Sequence, residues 1–180
     1  MMVEQLAMTA AEPGPAAVSL AECKAFLRIE HDDDDAVIAG FIRTAIALCE
    51  AFTGQWLLIR DGEARLAADG NWQRLPVLPV VAITEVRDAG GPLDASLAEI
   101  DIDASGTGWV CAGSRCATRT VVAVFRAGLA SDWNGVPEPL RHGIIRLVAH
   151  LFAHRDAADA GPPPAAVAAL WRPWRRMRLG

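Results

Sequence analysis

The chain has 180 residues and a mass of 19.2 kDa, which fits one ordinary domain or one domain with appendages. Its composition, 52% apolar and 22% charged, is that of a globular protein and excludes an intrinsically disordered one. The 17 basic and 22 acidic side chains leave a net charge of −5, which argues against a protein that covers duplex DNA with its whole surface.

Residues 1–17 carry no basic leader, and the run Pro13–Gly14–Pro15 would break an apolar signal segment. We expect them to form a short flexible arm to which the sequence assigns no role. No apolar run approaches the ~18–20 residues that a bilayer span needs, so we expect no membrane contact and a cytoplasmic site of synthesis.

Residues 18–54 are predicted to be helical. Ser19 and Glu22 have the S-x-x-E spacing of a capping box, which opens a short helix reaching about Ile29. A longer helix follows the aspartates at 32–35, because apolar residues recur there at steps of three and four until Gly54. With a third helix described below, the predicted helical core is Phe26, Ile38, Phe41, Ile42, Ile46, Leu147 and Leu151.

Residues 55–130 change to an alternating period and predict an antiparallel β insertion. Strands are expected at 56–60, 80–87, 97–103 and 118–126. Turns rich in Gly, Asp, Asn and Pro separate them, beginning with Asp61–Gly62. The strands are short and no helix lies between them to make a parallel crossover.

A third helix is predicted within residues 135–156, opened by Pro137 and Pro139 and followed by an apolar stripe. Residues 157–180 are predicted to be a proline-stiffened linker and tail. The predicted fold class is therefore α+β: a small bundle of two N-terminal helices and one C-terminal helix, with an inserted antiparallel β-domain and an extended C-terminal tail.

Three clusters contain the residue types of metal or catalytic sites. The four aspartates at 32–35 lack calcium-loop spacing and fit an N-cap with an acidic first helical turn. His150 and His154 stand one turn apart, but Leu151 occupies the place where a zinc protease has glutamate. Glu99, Asp101 and Asp103 share one strand face, which is normally the solvated one.

The four cysteines indicate free thiols. Cys23 and Cys49 lie on apolar helix faces, and Cys111 and Cys116 have no second pair at metal-ligand spacing. These patterns predict no enzyme, no metal and no cofactor.

The tail concentrates four arginines and two tryptophans within residues 171–178. The sixteen residues 165–180 cannot bury two tryptophans by themselves, so they need a surface on which to dock. Three surfaces remain open at this point: nucleic acid, a groove on a partner protein, and the body of the chain itself.

Seven segments of the chain occur in an order and spacing that are more specific than any one motif. They are residues 19–28, 33–38, 49–54, 75–80, 136–141, 150–152 and 170–175. Together they resemble the head–tail connector, or adaptor, proteins of long-tailed bacteriophages and of the related gene transfer agents. The resemblance spans roughly residues 18–178.

The resemblance implies a structural connector in the neck of a virion or virus-like particle, made in the bacterial cytoplasm. Such a protein forms a dodecameric ring under the portal protein, binds a downstream tail-connector (stopper) protein and lets DNA pass through its lumen as cargo. Twelve copies would carry about −60, which suits a conduit that does not hold its DNA. The implied portal-docking residues are Leu170, Trp171, Arg172, Trp174, Arg175, Arg176 and Arg178. The alternative is a DNA-binding packaging accessory or regulator that uses the same tail.

Overall fold

The computed structural model describes residues 8–10, 20–113, 116, 118–155 and 164–176. The chain divides into two compact units: a helical unit drawn from residues 14–57 and 130–180, and a β unit drawn from residues 1–13 and 58–129. The predicted α+β class is confirmed.

The described residues contain four α-helices and two short 3₁₀ turns in the helical unit. The helices are α1 (Leu20–Leu27), α2 (Asp35–Thr53), α3 (Glu138–Ala153) and α4 (Ala165–Trp171), and the 3₁₀ turns are Trp133–Gly135 and Arg172–Trp174. The strands of the β unit are β1 (Met8–Ala10), β2 (Arg60–Ala67), β3 (Trp72–Arg74), β4 (Val80–Asp88), β5 (Gly91–Pro92), β6 (Ala98–Ile102), β7 (Gly108–Ala112) and β8 (Thr120–Ala127).

The core of the helical unit lies where α2 packs on α3. Helix α2 ends at Gly54, whose left-handed backbone (φ 71°) lets its N–H donate to the Glu50 carbonyl at 2.8 Å, as the sequence predicts. Of the predicted core residues, Ile38, Ile42 and Leu147 are buried, and three others are half-buried: Phe41, Ile46 and Leu151.

Phe26 was wrongly predicted to be a core residue, because its side chain is 49% exposed. At 100° per residue, Leu20, Cys23 and Leu27 fall within one narrow arc of α1. Cys23 is fully buried and the two leucines are half-buried, so this arc faces the core. Phe26 lies beside it and faces outward.

Two side-chain clusters fix α1 against the other helices. The Glu22 carboxylate accepts hydrogen bonds from the Trp133 indole N–H at 2.9 Å and from Arg141 at 3.0 Å, which joins α1 to the start of α3. Ser19, the partner of Glu22 in the predicted capping box, lies outside the described residues. Lys24 contacts both Asp32 at 2.6 Å and Asp35 at 2.7 Å, which joins α1 to the start of α2.

The β unit contains a five-stranded sheet, in the order β1-β2-β8-β4-β5, and a three-stranded sheet, in the order β3-β7-β6. All the strand pairs described are antiparallel, as predicted. The core is formed by alternate side chains of the central strands: Ala64 and Leu66 of β2, Val110 and Ala112 of β7, and Val121, Ala123, Phe125 and Ala127 of β8.

The strand predicted at 56–60 and the turn predicted at Asp61–Gly62 are both wrong. Strand β2 begins at Arg60 and runs through Gly62, which pairs with Phe125 and is buried. A glycine inside a strand marks a close approach as well as a turn, and the sequence pattern does not distinguish the two. Trp56 and Leu57 belong instead to the helical unit, where the Leu57 N–H donates to the Glu50 carboxylate at 2.9 Å.

Strands β3 and β7 are absent from the sequence prediction. The sequence pattern predicts a turn over residues 104–108, but β7 already begins at Gly108. A larger residue at Gly108 would collide with Leu75 and Val80. Strand β6 is an edge strand whose side chains are exposed on both faces, so Ile100 and Ile102 are not buried between the carboxylates as the alternation predicts.

The two chain ends also differ from expectation. Met8–Ala10, expected to be part of a flexible arm, forms β1 and pairs with β2. The C-terminal tail is not extended over residues 165–174, where α4 and a 3₁₀ turn succeed each other. Alanine is the strongest helix former, and four of the seven residues of α4 are alanine.

Helix α2 meets the length and hydropathy criteria of a membrane span, although charged residues interrupt its apolar sequence. It is 19 residues long and contains an 18-residue window with a mean hydropathy of 1.6, enough by these two criteria to cross a bilayer. One side of the helix, with Ile38, Ile42, Ala45 and Cys49, is packed in the core of the helical unit, as in many core helices. The criteria are met because the opposite side is also poor in charge.

Candidate functional site: the C-terminal segment

The C-terminal segment, residues 164–176, is anchored by one tryptophan. Trp171 is fully buried, and its indole N–H lies 3.4 Å from the Leu140 carbonyl on α3. The indole ring covers Gly143, where a Cβ would overlap it, and its centroid lies 5.8 Å from that of Phe52 on α2. Val167, one turn earlier, is only 2% exposed. Trp171 therefore packs on the chain's own body rather than standing free for a partner.

Beyond Trp171 the backbone returns to the end of α2 and is held there. The Gln55 side-chain amide donates to the Trp174 carbonyl at 2.5 Å, and the Arg176 N–H donates to the Thr53 carbonyl at 2.9 Å. Gln55 is 4% exposed and Thr53 is fully buried, so both contacts join the segment to buried residues of the helical unit. These bonds fix the position of residues 174–176 with respect to the helical unit.

This anchoring leaves an arginine cluster on the outside, formed by Arg172, Arg175 and Arg176. All three side chains are exposed, and within the described part of the chain none of them makes an ion pair. Trp174 is half-buried beside them, and the Arg175 guanidinium lies 5.8 Å from the Phe52 ring. The cluster therefore presents fixed positive charge next to an aromatic edge, which suits carboxylate recognition.

The predicted docking residues thus differ in how far they are exposed to solvent. Trp171 is an internal anchor, Leu170 and Trp174 are half-buried, and the three arginines of the cluster face solvent. Arg178 lies outside the described residues. The sequence pattern does not predict Gly143, Gln55 and Thr53 as partners of the segment. Gly143 gave the only signal, because a glycine within an apolar helical stripe indicates a close approach.

The four carboxylates of the acidic loop, residues 32–35, do not face a common point. Asp32 and Asp35 contact Lys24, Asp34 lies 3.5 Å from Arg155, and Asp33 lies 3.7 Å from His31. Asp34 stands at the N-cap position of α2, but its side chain makes no capping hydrogen bond. Hydrogen bonds from Lys24 hold the pKa of Asp32 below its usual range and raise the pKa of Lys24. The loop acts as a brace between α1 and α2.

The sheet carboxylates and the histidines also have structural surroundings. Hydrogen bonds from the Ser105 hydroxyl, the Thr107 N–H and the Trp109 indole hold the pKa of Asp103 well below its usual range and order the β6–β7 turn. Glu99 and Asp101 are exposed on β6. The His154 ring stacks near that of His150, at 4.3 Å between centroids, with its Nδ1 2.8 Å from the His150 carbonyl.

Comparison with known proteins identifies the class to which this arrangement belongs. The model of a family described as phage gp6-like head-tail connector protein matches residues 17–87. No curated protein sequence matches the chain.

Three chains in solved structures of gene transfer agent (GTA) particles are similar over almost their whole length. One, from the neck of a native particle computed with C12 symmetry, is 30% identical with a TM-score of 0.71, covering 99% of this chain and 97% of that one. A second, from the neck of an empty particle computed with C6 symmetry, is 27% identical with a TM-score of 0.79, covering 96% and 97%. A third, from the virion of a native particle, is 26% identical with a TM-score of 0.73, covering 96% of each chain.

The family match and the 30% identity to a chain of the C12 neck define the class as the structural head–tail connectors of virion necks. The chain belongs to the phage gp6-like head–tail connector family.

Proposed function

We propose that this protein is a structural connector in the neck of a phage-like particle, where copies of it form a ring that joins the head to the tail. The observation that carries the proposal is the 30% identity to a chain of the C12 neck of a gene transfer agent particle over 97% of that chain. The family match over residues 17–87 supports the same role. The role is structural and needs no catalysis.

The arginine cluster is the surface that we assign to the portal protein. Arg172, Arg175 and Arg176 are exposed, lack ion pairs among the described residues and are held in place by the Gln55 and Thr53 contacts. Docking an already ordered surface loses less conformational entropy than docking a free tail. Carboxylates on the portal are the complementary chemistry. Trp171 supports the surface from inside and does not itself reach the portal.

The remaining partners follow from a ring of this kind. A downstream tail-connector protein binds the face of the ring opposite the portal, and DNA passes through the lumen. The net charge of −5 per chain favours passage over retention, since like charges repel the phosphate backbone. The same charge disfavours the DNA-binding alternative.

The test of this function is tail attachment to heads. In a strain that lacks the gene and accumulates tailless heads, the wild-type chain should restore tailed particles. The triple variant Arg172→Glu, Arg175→Glu and Arg176→Glu should remain folded and lose at least tenfold in head attachment, because charge reversal opposes portal carboxylates. The matched control reverses three exposed arginines of the β unit: Arg65→Glu, Arg119→Glu and Arg126→Glu.

Two results would contradict the proposal separately. If the wild-type chain leaves heads tailless, the connector function is wrong. If tails are restored equally by the wild type and by the variant of the arginine cluster, the function stands and the portal surface lies elsewhere.

A further inference from the structure

Helix α2 has a second apolar side that nothing in the described chain covers. Opposite the packed side lies its outer face, where Val37 is 44% exposed and Leu48 is 39% exposed. The helical repeat of 100° per residue places the other members in the same arc. The outer face consists of Ala36, Val37, Gly40, Thr44, Ala47, Leu48 and Ala51, with Gly40 half-buried and the others exposed.

The outer face has the composition of a covered surface rather than of a solvated one. The solvent side of a helix in a globular protein normally carries charged and long polar side chains. Here the only charged residue is Arg43, which lies at the margin of the arc. This composition also explains why α2 meets the length and hydropathy criteria of a membrane helix.

Gly40 gives an independent indication that a neighbour lies against this face. Glycine is the poorest helix former after proline, so a glycine within a helix needs a reason. At Gly143 the reason is the Trp171 indole of the same chain. At Gly40 an added Cβ would meet only the end of the Arg43 side chain, at 3.9 Å. The described chain therefore gives no reason for Gly40, whereas close approach of another helix does.

The helical unit offers a complementary surface on α1. Besides Val37 and Leu48, Phe26 is a large apolar side chain of this unit that is strongly exposed among the described residues, and the exposed Ala25 precedes it. The contact of Lys24 with Asp32 holds the acidic loop against α1, where the Asp32 and Asp33 side chains are 87% and 94% exposed. Phe26 is thus an exposed apolar side chain in the last turn of α1, a few residues before the exposed carboxylates of Asp32 and Asp33. The outer face of α2 joins an apolar surface to the positive charge of Arg43.

We propose that the outer face of α2 binds the Phe26 face of α1 on a second copy of this chain. The proposal rests on the proposed function, because a ring needs each copy to use two different faces, one toward each neighbour. Charge complementarity favours this head-to-tail contact. A two-fold contact of α2 with α2 would instead bring two Arg43 side chains together.

Surface substitutions test the contact without disturbing the fold. Gly40→Gln with Ala47→Glu blocks the outer face of α2, and Phe26→Glu removes the knob of α1. Ala166→Glu on α4 is the matched control, since Ala166 is exposed outside both faces. Each purified chain should unfold within a few degrees of the wild type. On tailless heads, both blocked variants should reduce the number of bound copies per head at least fivefold, and the control should leave it unchanged.

Cross-linking identifies which faces meet. With a short bis-maleimide, the pair Phe26→Cys and Val37→Cys in one chain should give a ladder of covalent multimers on heads, beyond the background of the wild-type cysteines. Val37→Cys alone should give none beyond that background. Absence of the ladder on heads that carry the wild-type number of copies, or dimers from Val37→Cys alone, would overturn the proposal.

Two further results separate this proposal from its alternatives. If the wild type does not join heads at all, the connector function fails. If it restores tails and the blocked variants do so with full copy number, only the α2–α1 contact is wrong. Flotation of the wild type with vesicles of anionic phospholipid, lost on Ala47→Glu, would assign the outer face to a membrane and overturn the contact.

Discussion

Two glycines in helices of the same unit have opposite surroundings. The Trp171 indole fills the space beside Gly143 on α3, whereas the space beside Gly40 on α2 is open apart from Arg43. The fold of the single chain requires glycine at position 143 but not at position 40. The contrast can be measured directly, because the same substitution applies to both.

Gly40→Ala should stabilise the isolated chain by about 0.5–1 kcal/mol, because alanine is the better helix former and nothing obstructs its Cβ. Gly143→Ala should destabilise it by about 1–3 kcal/mol, because the Cβ overlaps the indole and must displace it. Denaturant unfolding of the two variants measures both values. Equal effects would show that Trp171 is not seated on Gly143 in solution.

Lys24 is the residue that ties the acidic loop to α1, so Lys24→Met should lower the unfolding temperature at neutral pH. The pKa of Asp32 is lowered, so its stabilisation is present above its ordinary value near 4 and is lost as pH falls through the lowered value. The pKa of Lys24 is raised, so its stabilisation is complete below about 10.4 and is lost as pH rises through the raised value.

The difference between wild type and Lys24→Met should therefore be largest between about pH 5 and 9 and narrow on either side. Thermal unfolding followed by circular dichroism across this range measures it. Arg65→Met is the control, since Arg65 is exposed and makes no ion pair among the described residues. A difference that does not change with pH would mean that Lys24 acts through packing alone.

Helix α4 gives the C-terminal segment a role in stability as well as in docking. Trp171 and Val167 are buried against the helical unit, so removing residues 164–180 should lower its stability instead of leaving it unchanged. Trp171→Ala alone should cost about 3–5 kcal/mol, as for other large aromatic residues removed from a core. Trp174→Ala should cost much less because its side chain is half-buried. Thermal unfolding of the three variants decides between an integral helix and a detachable tail.

The sequence predicts the elements whose pattern is long and regular. Helices α2 and α3 agree within a few residues because their apolar faces run over four turns or more. Strands β3 and β7 escape prediction because three to five residues with glycine and tryptophan do not make a distinct alternation. For the site, the sequence locates the arginines but not Gln55 or Gly143. Gln55 matters because it binds Trp174, which is 119 residues away in the chain. Gly143 matters because the Trp171 indole packs against it.

The charge of the whole molecule bears on how it treats DNA. With a net charge of −5, the wild-type chain should bind duplex DNA no more tightly than roughly 10⁻⁴ to 10⁻⁶ M at physiological salt. Fluorescence anisotropy over a salt series measures this. Submicromolar affinity with a log–log salt slope near −3 would instead favour the DNA-binding alternative, because each arginine that contacts a phosphate contributes about one unit.

The helical unit is discontinuous along the chain, and this has a consequence for its synthesis. Helix α2 ends at Thr53 and its packing partner α3 begins at Glu138, with the strands β2 to β8 between them. At the ~5–20 residues per second of translation, these roughly 85 residues take about 4 to 17 seconds. Throughout that interval both apolar sides of α2 are exposed on the nascent chain while the β unit is completed. The apolar helix α2 is therefore made early and buried late.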